Sequence, residues 1–290
     1  DRESLLRTRD HMRSRGPDGA GLWLSDDRRI GLAHRRLSII DLSETGSQPM
    51  QDRDTGRRIV FNGEIYNYQA LRAELETAGQ RFHSHSDTEV LLKLYAEHGE
   101  GMLQKLRGMY AFAIWDETQK SLFLARDPFG VKPLYLADDG KTLRFASQVK
   151  ALLAGGGINT SPEAAGHVGF FLLGSIPEPF TLYQGVRALP AGHSLWLETG
   201  GRKRQQPFFD LAEAYAQPAT HPVLTHDEAR ECLHEALRDS VRHHLIADVP
   251  VGVFLSAGLD STTIAALVKE AGVAELRTLS LGLNGVAGTE

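Results

Sequence analysis

Between Ile59 and Asn67 the chain reads I-V-F-N-G-E-I-Y-N, and Asn62, Gly63 and Glu64 stand where an apolar run ends. An amide side chain, a backbone without Cβ and a carboxylate are thus delivered to one place, by what reads as a buried strand. The chemistry open to such a set is acyl transfer. Asn62 can donate from its side chain and Gly63 from its N–H, two fixed donors for the oxyanion of a tetrahedral intermediate. Taken alone, the same three residues also describe a strand with a glycine bulge. A second set, Ser256-Ala257-Gly258-Leu259-Asp260-Ser261, lies where a strand feeds a helix. Its N–H groups and two hydroxyls would face an anion at the positive end of that helix, as a phosphate cradle does. It lacks the lysine of a G-x-x-x-x-G-K-[ST] loop, and Phe254 stands where a G-x-S-x-G nucleophile elbow needs its first glycine. A plain capped helix is the alternative there.

The elements that must position these residues follow from punctuation and period. Leu5 to Arg13 reads as a short helix stopped by R-G-P-D-G at Arg15, and Gly21 to Leu24 and Gly31 to Leu37 read as strands. The run R-L-S-I-I-D at Arg36 precedes a loop from Ser43 to Met50. Asn67 can cap a helix with Leu71 and Leu75 on its inner face, and Ser86-Asp87-Thr88-Glu89 matches a capping box before Val90, Leu91, Leu94 and Tyr95. From Tyr110 the period changes to that of strands: Ala111 to Trp115, Ser121 to Ala125, Pro133 to Ala137 and Leu143 to Ala146, joined by short turns, predict antiparallel sheet. Ser161-Pro162 offers a cap and first-turn proline to the helix over Val168 to Leu172, and Ser194 to Glu198 is a further strand. Helices around antiparallel strands predict an α+β layered domain.

From Arg202 to Pro222 no period holds, and the domain link is set at 205–224, between a first domain over 1–204 and a second over 225–290. Thr225-His226-Asp227-Glu228 is another capping box, and Cys232 falls on the apolar stripe of the helix it opens, where it reads as a core thiol. Val249 to Leu255, the serine-rich loop, Thr262 to Ala271 and Leu276 to Leu281 then form a βαβ grammar with a right-handed crossover, the start of a parallel α/β domain.

Composition sets limits on the partners. A net charge of -5 and a pI near 6.2, without a long basic run, argue against nucleic acid. No apolar run reaches membrane-spanning length and the first residues do not resemble a signal peptide. A single cysteine forms no internal disulfide, so a cytoplasmic location is expected, and a homodimer is left open. His83-Ser84-His85 and His243-His244 lack the partners that would specify zinc.

The S-A-G-L-D-S loop resembles the S-G-G-x-D-S loop of the ATP pyrophosphatase (PP-loop) superfamily, and N-G-E-I-Y-N resembles the glutaminase domain of glutamine-hydrolysing asparagine synthetases. R-G-P-D-G at Arg15, R-L-S-I-I-D at Arg36, S-D-T-E at Ser86, G-M-Y-A-F-A-I-W-D at Gly108 and R-D-P-F-G-V-K-P-L-Y at Arg126 follow that family's order, so the resemblance spans the chain. It implies an αββα sandwich of the N-terminal nucleophile glutaminase type, followed by the first part of a PP-loop domain. It also implies roles. Arg36 would pair with the α-carboxylate of glutamine, with backbone contacts from Leu37 and Ile40. Asp87 would hold the α-ammonium, Asn62 and Gly63 would form the oxyanion hole, and Glu64 would complete the pocket. Ser256, Gly258, Asp260 and Ser261 would wrap the phosphates of ATP, Leu255 and Leu281 would border its adenosine, and Asp260 could reach Mg2+. The implied substrates are glutamine, aspartate and ATP: glutamine yields ammonia, which meets a β-aspartyl-AMP formed with release of pyrophosphate.

Three departures accompany the resemblance. The family's nucleophile is an N-terminal cysteine whose own α-amine serves as base; the chain opens at Asp1, and a Met-Cys-Gly start is expected upstream of it. Cys232 cannot replace that cysteine, because it belongs to the second domain. Ala257 stands for a usual glycine and Ser14 for a frequent histidine, and the residues that choose the acceptor are expected beyond Glu290. Two other readings remain: a β-lactam synthetase relative without glutaminase activity, and a glutamine-binding module that does not turn glutamine over.

Overall fold

The chain divides into two units, Asp1–Ala216 and Gln217–Glu290. The computed structural model describes residues 1–216, 224–273 and 275–282. The first unit runs α1 (Arg2–His11), β1 (Gly19–Leu24), β2 (Gly31–Arg36), β3 (Met50–Gln51), β4 (Arg58–Ile65), α2 (Tyr68–Thr77), α3 (Asp87–His98), β5 (Gly108–Asp116) and β6 (Ser121–Arg126). It continues with β7 (Tyr135–Asp138), β8 (Leu143–Ala146), α4 (Val149–Gly155), α5 (Ala164–Leu173), β9 (Arg187–Ala188), β10 (His193–Glu198), β11 (Lys203–Pro207) and α6 (Leu211–Ala216).

Six strands form one antiparallel sheet in the order β11-β10-β6-β5-β4-β3. Side chains alternate between its two faces, and both faces are apolar. Val60, Ala113, Leu124 and Leu195 lie in register on one face, which packs against Leu32, Trp23, Leu136 and Phe145 from the smaller sheets β1-β2 and β8-β7-β9. Ile59, Ile114, Phe123 and Trp196 occupy the other face, where Tyr95 of α3 stacks on Phe123 with ring centroids 5.5 Å apart. Behind the smaller sheets, Ala151 and Leu152 of α4 form a second cluster with Met12, Ala137 and Ala146. The order of layers is therefore helix, sheet, sheet, helix, the αββα arrangement expected. Among the described residues no helix is long and apolar enough to cross a membrane.

A buried charge fixes the β3–β4 hairpin to α3. Lys93 donates to Asp52 at 2.8 Å and to Asp54 at 2.6 Å, and Lys93 and Asp52 are almost wholly enclosed. Taking away one partner of such a pair costs about 3–5 kcal/mol, so the hairpin cannot drift from the helix cheaply.

Several local expectations change. The assumed link begins as a strand: Lys203–Pro207 pairs with β10, and α6 also falls within the first unit. A polar edge strand carries no apolar alternation, which is why its sequence looks aperiodic. The capping box at Ser86 is half made. Ser86 accepts from Thr88 N–H, but the Glu89 carboxylate instead accepts from the N–H groups of His83 and Ser84. Asn67 occupies a cap position but sends its amide across to Lys105 and Arg107. Ser161 does not cap α5; Glu163 does, because Ser161 and Pro162 are engaged with the 183–184 strand-like segment.

The second unit holds α7 (His226–His244), β12 (Gly252–Phe254), α8 (Leu259–Glu270) and β13 (Arg277–Leu279). The Thr225–Glu228 capping box is complete, and β12 pairs with β13 in parallel through α8, as the βαβ grammar requires. Cys232 is exposed rather than in a core, because the described residues leave the α7 stripe around Leu233 and Leu237 uncovered.

Candidate functional site

β3 ends after two residues, so β4 runs past it with an open edge. In an antiparallel ladder alternate residues turn their N–H and C=O to the same side, and on β4 the odd-numbered residues after Ile59 face that edge. Side chains replace the missing strand. The Phe61 N–H donates to Gln48 Oε1 at 2.6 Å, its carbonyl lies 3.0 Å from His34 Nε2, and the Ile65 N–H donates to Asp87 Oδ2 at 3.1 Å. Gly63 lies between these two, so its N–H opens onto the same edge. A Cβ there would sit 2.1 Å from the Met109 carbonyl oxygen, which explains glycine at this place. The neighbouring Asn62 amide makes no hydrogen bond among the described residues and remains available as a second donor.

The cavity at this edge has a volume of about 940 Å³, and Arg36, Leu37, Ile40, Asn62, Gly63, Glu64 and Asp87 all line it. Charges of both signs line it. Burial raises Asp87 to a pKa of about 6 against the hydrogen bonds from Ile65 and Thr88, and the Glu64 carboxylate raises it further. Two carboxylates in one enclosed place favour a cation between them. The Arg36 guanidinium donates to the carbonyls of Ser43 at 2.9 Å and Ile40 at 3.1 Å, and also to that of Asp41. Three carbonyls of the loop thus hold this guanidinium in place on the cavity wall. His34 is held neutral, its pKa lowered to about 4 mainly by burial.

In the second unit, Ser256 and Ser261 join hydroxyls at 3.0 Å, and the Gly258 N–H donates to Ser256 Oγ at 3.2 Å. Gly258 caps α8 without a side-chain bond, leaving the first-turn N–H groups of Leu259, Asp260 and Ser261 without intrahelical partners. Leu255, Ser256 and Leu281 line a shallow cleft beside them. Backbone donors, hydroxyls and a helix N-terminus form a donor set that fits a nucleotide phosphate. Asp260 stands in the first turn, where it could take up a cation only beside such a phosphate.

A family profile described as a glutamine amidotransferase domain matches residues 1–209. The chain belongs to the glutamine amidotransferase family. A second profile, described as asparagine synthase, matches residues 232–290. Asparagine synthetase [glutamine-hydrolyzing] 1 of Bacillus subtilis is 40% identical, over 97% of this chain and 43% of that protein. Amidase chry2 of Gibberella zeae is 37% identical, over 92% of this chain and 39% of that protein. The chain thus spans about two fifths of the length of these relatives. Among solved structures, a glutamine phosphoribosylpyrophosphate amidotransferase from B. subtilis is similar at a TM-score of 0.49 and 20% identity, covering 95% of this chain and 61% of that one.

Other residues that the sequence did not mark out shape the cavity wall. Arg126, buried at the end of β6, pairs with both Glu178 oxygens at 2.8 and 2.9 Å and donates to the carbonyls of Gly130, Lys132 and Leu189. Asp127 accepts from the N–H groups of Tyr110, Phe129, Val131 and Lys132. Together they fold the 128–133 segment whose Val131, Lys132 and Pro133 form part of the cavity wall. The signal was present in R-D-P-F-G-V-K-P-L-Y, but its physical meaning needs the partners. His34 and Gln48 had no such signal.

Proposed function

We propose that this chain is the glutaminase part, over about 1–209, and the beginning of the ATP-using part of an enzyme that moves the amide nitrogen of glutamine onto a carboxylate. The observation that carries the proposal is the convergence on one cavity of the Arg36 cation, the Glu64 and Asp87 carboxylates, and the Asn62 and Gly63 donors at the β4 edge. Free α-amino acids carry both charges, and only a side-chain carbonyl would then be left for the oxyanion donors. In the proposed reaction, a nucleophile adds to the glutamine amide carbon and the carbonyl oxygen gains the electron pair that Asn62 and Gly63 stabilise. The pair returns as ammonia leaves, and water then releases glutamate. The nucleophile is the N-terminal cysteine that the resemblance implies.

For the second half, ATP and a carboxylate give an acyl-adenylate and pyrophosphate, and ammonia displaces AMP to form the amide. Aspartate is the proposed acceptor, in line with the relatives named asparagine synthetase, and the Ser256–Ser261 loop is the proposed phosphate holder, with Mg2+ at Asp260.

The test gives full-length protein amide-labelled glutamine, aspartate and ATP. Labelled asparagine with AMP and pyrophosphate is expected; ADP as product would contradict the loop assignment, and no consumption of glutamine would end the proposal. Asp260→Ala is expected to lower ATP-dependent turnover by about tenfold or more, the scale of charge-assisted contacts, while glutamine hydrolysis persists.

The site also sets a pH dependence. A bound α-ammonium stabilises ionised Asp87, so binding at low pH must expel the proton held with a pKa of about 6. Glutamine affinity is expected to be flat above that pH and to fall toward tenfold per unit below it. Calorimetric titration between about pH 5 and 8 checks this, with Asp87→Asn expected to give weak binding and no such inflection.

A further inference from the structure

We infer that Asp41 is a positioning residue whose single carboxylate fixes the distance between the two charged ends of the amino-acid site. Asp41 lies at the end of R-L-S-I-I-D, five residues after Arg36, and its side chain is buried. Its φ of +56° is a left-handed conformation that non-glycine residues rarely adopt and that persists only where surroundings impose it. The surroundings here belong to both ends of the site. Its main-chain oxygen, with those of Ile40 and Ser43, accepts from the Arg36 guanidinium, so the loop wraps the cation. Gly46 closes the wrap, since a Cβ there would stand 2.3 Å from Arg36 Nη2. The side chain is engaged by other groups. Oδ1 accepts from the N–H and hydroxyl of Ser43, and Oδ2 accepts from Thr45 Oγ1 at 3.0 Å and from the His85 N–H at 2.9 Å.

His85 is two residues before Asp87, and Ser86 between them is the cap of α3. One rigid path therefore runs from the Arg36 guanidinium through the backbone and carboxylate of Asp41 to the His85 amide and on to the Asp87 carboxylate. A site that holds an α-carboxylate at one end and an α-ammonium at the other needs that separation set before the ligand arrives. Burial alone would raise the Asp41 pKa, yet its hydrogen bonds from Ser43, His85 and Thr45 leave it lowered, so the carboxylate is the form these donors hold.

The inference rests on the glutamine reading of the cavity, and its test separates the two. In the full-length protein, Asp41→Asn places an amide N–H against one of these donors. Asp41→Gly keeps the left-handed backbone and loses the side-chain bonds altogether. Both are expected to raise the glutamine KM and the calorimetric Kd about tenfold, the scale of one charge-assisted hydrogen bond, with kcat within about twofold of wild type. Turnover with ammonium chloride as nitrogen source is expected to be unchanged, and exchange of the His85 amide hydrogen to quicken. Unaltered glutamine affinity in both variants, or a fall in kcat with KM constant, would overturn the inference while leaving the glutamine reading intact. A wild-type protein that binds no glutamine would sink that reading, and this inference with it.

Discussion

Replacing Asn62 by Ala is expected to lower kcat for glutamine hydrolysis by about 10²–10³ while the glutamine KM moves by less than about threefold, as loss of one oxyanion donor does. The argument is local. The Asn62 amide has no hydrogen-bond partner among the described residues, so its removal unpairs nothing else. The adjacent backbone is held by other residues: Phe61 by Gln48 and His34, and Ile65 by Asp87. Gly63 N–H therefore stays in place, and the variant keeps one donor of two. Thermal stability should shift little, because Asn62 is half-buried at a cavity wall and not in the cluster around Val60 and Ala113. Steady-state kinetics with glutamine decide the matter. If KM rose as far as kcat fell, Asn62 would be binding the ground state as tightly as the transition state.

How much of this site was legible in the sequence depends on how each residue is held. β4 and the start of α3 were legible, because an apolar run and a serine cap are local patterns, and they already bring in Asn62, Gly63, Glu64 and Asp87. The gap between those two patterns was not. Asp87 meets β4 through the Ile65 N–H only because β3 stops after two residues and leaves that edge to side chains. The same edge recruits Gln48 and His34, which no period or cap marks, since their partners lie 13 and 27 residues away. Glu89 shows the converse: its spacing from Ser86 suited a local cap, and the unsatisfied N–H groups of the 83–84 turn took it instead. β11 was missed because an exposed edge strand needs no apolar face. The layered architecture was legible for a stronger reason. Along β5 and β6 apolar residues fill both faces, Phe112, Ile114 and Phe123 on one and Ala113, Trp115, Leu122 and Leu124 on the other, so a sheet covered on both sides is what this sequence can bury.

Gly63→Ala is expected to remove glutamine hydrolysis and to destabilise the first unit together, which sets it apart from Asn62→Ala. An added Cβ would lie 2.1 Å from the Met109 carbonyl oxygen, 2.8 Å from Tyr110 Cα and 2.8 Å from the Phe61 ring. Two of these are backbone atoms of β5, which is hydrogen-bonded into the middle of the six-stranded sheet between β4 and β6 and cannot recede. The strain must then move β4 outward at the residue that carries the N–H donor. Overpacking of this kind costs about 3 kcal/mol, which at roughly 2–4 °C per kcal/mol for a unit of this size lowers Tm by about 6–12 °C. A calorimetric scan and a glutaminase assay on the same preparation check both effects. An active variant with an unshifted Tm would show that β4 can bulge here without cost, and the donor assigned to Gly63 would then have to be sought elsewhere on the cavity wall. The coupling is what the chemistry demands: a backbone N–H serves as an oxyanion donor only where the chain beside it is too tightly placed to turn away, and at this position the same tightness leaves no room for a side chain.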